Sequence, residues 1–179
     1  MIVISVVGLQ FTGSTLLFNM LRFICQKKKF KFKSFLVREE NDIKISDDYD
    51  YIIIKCHKFF EKLQEKSNII FLPQRDIRDS IITLMKRRQL PFEKAIEHYK
   101  NTSLSYYYEW KKYENFQFSY EIYMKNKSKY TKYILNTIKI KLNDQELKEL
   151  LNNCEKLKEN LIKINGKFEK SNYNIFIFF

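Results

Sequence analysis

Five short apolar runs, separated by polar breaks and by stretches of helical periodicity, organise the chain. The first, Met1-Ile2-Val3-Ile4-Ser5-Val6-Val7-Gly8, is β-branched and free of charge, the pattern of a strand buried in a parallel sheet. Leu16, Leu17, Met20 and Leu21 then fall at helical spacing through Arg22. Ser34 to Val37 reads as a short strand after a lysine-rich loop. Tyr51-Ile52-Ile53-Ile54 is a buried strand ending in Lys55-Cys56-His57. Ile69-Ile70-Phe71-Leu72 is another, ended by Pro73, and Phe116-Gln117-Phe118-Ser119-Tyr120 is the last.

The segments between them read as helices. Phe59 to Lys66 is one. Asp76 is placed to N-cap the next, with Asp79 as capping-box partner and Ile77, Ile81 and Leu84 as its buried stripe. Pro91 opens a long helix to about Lys112, with Tyr106, Tyr107, Tyr108 and Trp110 as core aromatics. Tyr130 to Lys141 is helical. Asn143 or Asp144 caps a last helix from about Gln145 to Ile162, which Asn165-Gly166 breaks before an aromatic end, Tyr173 to Phe179. Glu39 to Asp50 is an acidic loop. No repeat or interdomain linker interrupts the 179 residues, so one domain is expected.

Between the first strand and the first helix lie two of the three glycines, spaced Gly8-x4-Gly13-x-Thr15. Strand, small-residue loop and helix aim several backbone N–H groups and a helix N-terminus at one point, where a phosphate or sulfate binds. The spacing is that of a P-loop with Ser14 where phosphoryl-transfer loops carry lysine. A kinase or NTPase is therefore disfavoured, while a cradle for a smaller anion, or a plain strand-to-helix turn, stays open.

Two further strand ends carry chemistry. Ligands of open α/β sheets gather at the carboxyl ends of strands. Lys55 and His57 sit at such an end, two apart, so their side chains point the same way, and His57 is a general-base candidate. Arg75, with a hydroxyl two turns on, makes a fork for a phosphate, or else pairs with Asp79 as a helix cap.

Composition narrows the picture further. A hydrophobic fraction of 45% and an aromatic fraction of 16% place the chain among globular proteins. The net charge of +12 favours anionic partners and leaves a nucleic-acid-binding module as one reading, with Phe30 and Phe32 among the lysines of the 27–33 run as stacking candidates. The arginines Arg22, Arg38, Arg75, Arg78, Arg87 and Arg88 are few among many lysines and carry more information each. Cys25, Cys56 and Cys154 have no disulfide or zinc spacing and read as free thiols. With neither a signal peptide nor a membrane span in the pattern, a cytoplasmic protein is expected.

Taken in order, these pieces resemble the PAPS-dependent sulfotransferases, which use 3′-phosphoadenosine 5′-phosphosulfate. Gln10-Phe11-Thr12-Gly13-Ser14-Thr15-Leu16-Leu17 resembles the family's 5′-phosphosulfate loop. Ile54-Lys55-Cys56-His57 resembles its Lys-x-His strand end, whose histidine is the catalytic base. Phe71-Leu72-Pro73-Gln74-Arg75-Asp76-Ile77-Arg78-Asp79 resembles the segment whose first arginine binds the 3′-phosphate. Thr83 stands where the family has a serine on that phosphate, and Tyr120-Glu121 resembles its Tyr-Glu-Asp segment. The match spans about residues 2 to 150, and the part from about 151 to 179 matches weakly, including a basic-glycine segment around Lys163 to Lys167.

The resemblance implies a three-layer α/β/α domain with a central parallel sheet of about five strands, of the P-loop nucleotide-kinase-like kind. It implies sulfuryl transfer from PAPS to an acceptor hydroxyl or amine on a glycan, protein, lipid or small alcohol, without a metal. His57 and Lys55 are the implied catalytic residues. Gln10, Phe11, Thr12, Gly13, Ser14, Thr15, Arg75, Thr83 and Tyr120 are the implied nucleotide contacts. The family's loop lysine or arginine falls on Phe11, and the aromatic that some members set against adenine falls on Leu16. Phe11 motivates the rival reading, a degenerate protein that binds PAP or PAPS without turnover. The nucleic-acid reading leaves the ordered Lys55, His57 and Arg75 unexplained.

Overall fold

The computed structural model describes residues 1–163, with side chains through Leu157. Strand β1 (Ile2–Val6) lies at the centre of a five-stranded sheet, bonded in parallel to β3 (Tyr51–Cys56) on one side and β4 (Ile69–Gln74) on the other. The edges are β2 (Phe32–Val37), beside β3, and β5 (Phe116–Ser119), beside β4, giving the order β2-β3-β1-β4-β5. Every pairing is parallel, so each strand's carboxyl end reaches the same edge of the sheet. The expected central parallel sheet is met.

The two-residue period of the strands sorts their side chains into two cores. Ile4, Val6, Tyr51, Ile53 and Phe71 face α1 (Ser14–Lys27), α6 (Tyr120–Lys125), α7 (Lys127–Thr137) and α8 (Asp144–Lys163). Val3, Val7, Ile52, Ile54, Ile70 and Leu72 face α2 (Glu61–Lys66) and α5 (Leu104–Lys111), where Leu63 and Trp110 are fully buried. These layers make the three-layer α/β/α architecture. A smaller cluster joins Leu9 to Leu84 of α3 (Ile77–Arg88) and to Ala95 and Tyr99 of α4 (Phe92–Thr102).

Several element readings change. Pro73 does not end β4; it pairs with Phe118 of β5, and the strand runs on to Gln74. The carbonyl of Phe71 accepts from Val7, so residues of that parity face β1, and β1's pairing stops at Phe71. The missing Pro73 N–H thus costs no ladder bond. The expected helix from Pro91 to Lys112 is two helices, broken at Ser103, whose φ of −121° leaves helical geometry. The weak helix formers Asn101, Thr102 and Ser103 lie at the break. It lets Tyr99 turn toward the loop after β1 while Trp110 turns under the sheet and donates to the Lys58 carbonyl at 3.0 Å.

Trp110 is the only core residue of the aromatic group; Tyr106 and Tyr107 are half-buried and Tyr108 is exposed. On α3, Leu84 is buried but Ile77 is exposed and Ile81 half-buried, because the helix turns Ser80 inward instead. Asp76 caps α3 through the Arg78 N–H, while Asp79 faces Arg75 at 3.8 Å rather than closing a capping box. Tyr120 starts α6 instead of ending β5, with the Ser119 hydroxyl as cap, and α7 starts at Lys127. The α8 start carries a reciprocal cap between Asn143 and Glu146, as the Asn143 alternative expected. Phe30 and Phe32 pack into the core, Phe30 against Tyr51 at 4.9 Å, so they offer no platform for bases. The three cysteines are free and buried. Among the described residues no helix is long and apolar enough to cross a membrane. The break expected at Asn165-Gly166, the aromatic end and the basic-glycine segment around Lys163 to Lys167 extend outside the described residues.

Trp110 joins the α5 layer to the sheet by burial, by its edge-on contact with Phe59 and by the bond to Lys58. Trp110→Ala is expected to cost about 3–5 kcal/mol of stability, read as a lower midpoint in urea with the slope unchanged.

Candidate functional site

The loop after β1 is shaped by two positions that need positive φ. Gly8 (φ 104°) and Gly13 (φ 93°) both adopt backbone that side chains disfavour. A Cβ on Gly8 would also lie 2.6 Å from Leu72, and one on Gly13 would lie 3.0 Å from Tyr120. Phe11 is left-handed as well, at φ 63°, and such strain persists only where surroundings enforce it. The surroundings do so: the Tyr99 hydroxyl donates to the Gln10 carbonyl at 2.7 Å, and the Ser80 hydroxyl reaches the Phe11 carbonyl at 3.4 Å. The buried Thr12 hydroxyl donates inward to the Leu9 carbonyl at 2.8 Å.

Gly13 is the N-cap of α1 and has no side chain with which to cap it. The first N–H groups of a 14-residue helix therefore point out of the loop at the carboxyl edge of the sheet. Lys55 reaches the same edge from β3. Its ammonium is buried and donates to the Thr15 hydroxyl at 2.7 Å. Burial, and then the nearby charge of Arg87, lower its pKa to about 8.

His57 follows, with its Nδ1 2.7 Å from the Gly8 carbonyl. A carbonyl only accepts, so Nδ1 carries the proton and Nε2 keeps a lone pair. The ring retains some accessible surface, yet the protein around it disfavours its charge. Burial first, then Lys55, push its pKa down to about 4 against the opposing Gly8 bond. His57 is thus a neutral base near neutrality.

Beyond β4, the main-chain N–H of Asp76 is held by Glu121 at 2.8 Å, which fixes the start of α3. Arg75 lies over the Tyr120 ring at 5.0 Å, and its Nη1 is 3.4 Å from the Thr83 hydroxyl. Both earlier alternatives are present, since Arg75 also sits 3.8 Å from Asp79. That pair is long, and the exposed Asp79 leaves it weak. Among the described residues, the Arg75 Nε is buried without a hydrogen-bond partner.

One cavity of about 150 Å³ gathers these groups. Gln10, Phe11, Gly13, Ser14, Thr15, Lys55, His57, Arg75, Thr83 and Tyr120 line it, so of the sequence-predicted site residues only Thr12 does not. Arg87 lines it too and was not singled out for the site by the sequence. Its signal was its spacing: Asp79, Thr83 and Arg87 are each four apart on α3, continuing the same step from Arg75 just before the helix. Tyr99 was also missed, and Glu121 was read only as part of the Tyr120-Glu121 segment; they support the loop and α3 from behind. A second, more apolar cavity of about 260 Å³ adjoins the first through Thr15, Arg87 and Tyr120, with Leu16, Tyr123 and Met124 among its walls.

His57 makes stability depend on pH. Unfolded, it takes its proton near pH 6.5; folded, only near 4. Between those values the unfolded chain binds the extra proton, so the histidine's contribution is complete above 6.5 and is lost as pH falls toward 4. His57→Gln is expected to flatten the fall in melting temperature across that window. A slope equal to the parent's would mean that the ring titrates normally.

No family model matches the sequence, and no curated protein does. Solved structures do match. The crystal structure of mouse sulfotransferase SULT7A1 complexed with PAP aligns over 97% of this chain and 68% of its own, with a TM-score of 0.68 and 15% identity. Retinol dehydratase in a complex with retinol and PAP aligns over 92% of this chain and 67% of its own, with a TM-score of 0.59 and 16% identity. At such identities the likeness concerns the backbone, and at that level the resemblance read from the sequence holds: the chain has the sulfotransferase fold.

Proposed function

We propose that this chain binds PAPS and transfers its sulfuryl group to an acceptor hydroxyl or amine. The observation that carries the reading is the Arg75 guanidinium. It is held against Thr83 and Tyr120, keeps a buried N–H without a partner among the described residues, and faces the same cavity as the uncapped start of α1. Two separate anion-seeking groups in one cavity fit a nucleotide with phosphate at both its 3′ and 5′ positions, and PAP, carried by both structural neighbours, is such a nucleotide.

In this reading the N–H groups from Gly13 to Thr15 hold the 5′-phosphosulfate, with the backbone of Gln10, Phe11 and Thr12 completing the loop. Arg75 and Thr83 hold the 3′-phosphate. The apolar second cavity, walled by Tyr120 and Leu16, takes the base. The nucleotide supplies an activated sulfuryl group. The Nε2 lone pair of His57 takes the acceptor's proton as its oxygen or nitrogen bonds to sulfur. Lys55 adds positive charge beside the loop. Electrons of the broken sulfur–oxygen bond remain on the 5′-phosphate oxygen. Phe11, neutral and unable to donate, favours the second reading, a chain that binds the nucleotide without turnover.

PAP is expected to bind at least tenfold more tightly than 5′-AMP, because charge-assisted hydrogen bonds contribute roughly 1.5–3 kcal/mol each. Arg75→Ala should remove most of that preference in calorimetry; equal affinities in the parent would sink the reading. His57→Ala should lower sulfuryl transfer by about 10²–10⁴-fold while keeping PAP affinity, and undiminished transfer would remove His57 from the mechanism.

A further inference from the structure

Sulfuryl transfer places new negative charge on the 5′-phosphate oxygen, and a fixed donor or cation aimed there lowers the barrier. The loop from Gly8 to Thr15 has backbone donors but no charged side chain, and Phe11 is a neutral ring. Three cations reach the cavity. Lys55 is bound to Thr15, and Arg75 is engaged by Thr83, Asp79 and Tyr120. Arg87 remains. Its guanidinium lies over the Phe11 ring, 5.6 Å from the centroid, and no described carboxylate pairs with it. It also stands where the two cavities meet, alongside Thr15 at the start of α1.

Resting on the function proposed above, we infer that Arg87 is the cation for the departing 5′-phosphate oxygen, seated by Phe11. The ring that removes charge from the loop becomes the surface on which a cation from α3 is oriented. Arg87 is exposed as a residue, yet the protein around its guanidinium lowers its pKa, and its charge helps depress that of Lys55. The charge is close enough to the loop to be felt by a second group in the cavity. In the step, the acceptor oxygen bonds to sulfur and gives its proton to His57 Nε2. The bond from sulfur to the bridging oxygen breaks, and its electron pair stays on that oxygen, facing Arg87.

The test uses the full chain with Arg87→Gln, Arg87→Lys and Arg87→Gln combined with Phe11→Lys. Binding of PAP and of 5′-AMP is measured by calorimetry, consumption of sulfur-labelled PAPS with phenol, alcohol and amine acceptors and with water, and the Lys55 titration by NMR. Arg87→Gln should lower transfer about 10²–10³-fold, keep the preference for PAP over AMP, and raise the pKa of Lys55. Arg87→Lys should retain part of the rate, and Phe11→Lys should restore part of it to Arg87→Gln. Collapse of the PAP preference in Arg87→Gln would overturn the proposal by making Arg87 a 3′-phosphate ligand. Undiminished transfer, or an unmoved Lys55, would also overturn it. A parent that binds PAP without transferring sulfate overturns the role of Arg87 and leaves nucleotide binding standing; a parent that does not bind PAP overturns the underlying reading.

Discussion

The structure depends on β1 being bonded on both flanks. Held between β3 and β4, the strand has only one way out, over the carboxyl edge of the sheet. Its chain must then reverse into α1 within a few residues, which is what Gly8 and Gly13 permit. Because all five strands run the same way, the ends of β3 and β4 arrive at that same edge with Lys55, His57 and Arg75. The site is thus a product of strand polarity. Residues far apart in the chain, such as Gly8 and His57, meet because their strands stop together, as expected where the strand order of a parallel sheet reverses.

The parts legible in the sequence were those set by local periodicity. The β-branched run of β1, the Ile-rich β3 and the leucine spacing of α1 have one reading each, and the two-residue step from Lys55 to His57 gives both a shared side. The parts that were misread were set by tertiary partners. Pro73 looks like a strand end until β1 is known to have stopped pairing beside it. Ser103 looks helical until Tyr99 and Trp110 are seen to need different targets. Ser80 displaced Ile77 from the buried face because the loop above α3 presents a carbonyl there. Arg87 was missed because a charge at the end of a basic helix resembles a dipole partner, and only the path of the loop brings Phe11 under it.

The cavity gathers three cations, while the only carboxylate paired with any of them among the described residues is the exposed Asp79. Their mutual repulsion is visible in Lys55, which burial and Arg87 both push toward neutrality. A polyanion relieves that repulsion, so the arrangement is less stable empty of charge than filled by it. This local excess matters more for recognition than the net +12 of the chain. Elsewhere some lysines are paired: Lys27 at the end of α1 and Lys28 just after it meet Glu149 and Glu146 of α8, and Lys127 meets Glu155.

The bond from His57 to the Gly8 carbonyl joins two tasks in one peptide group. Gly8 opens the loop whose far end presents the N–H groups, and the same residue's carbonyl decides which imidazole nitrogen carries the proton. A loop that loses its shape also releases the ring, and the lone pair is then no longer confined to Nε2. Readiness to take a proton is in this way conditional on the donor loop being formed. In the function proposed above, this single hydrogen bond ties proton transfer to a formed loop.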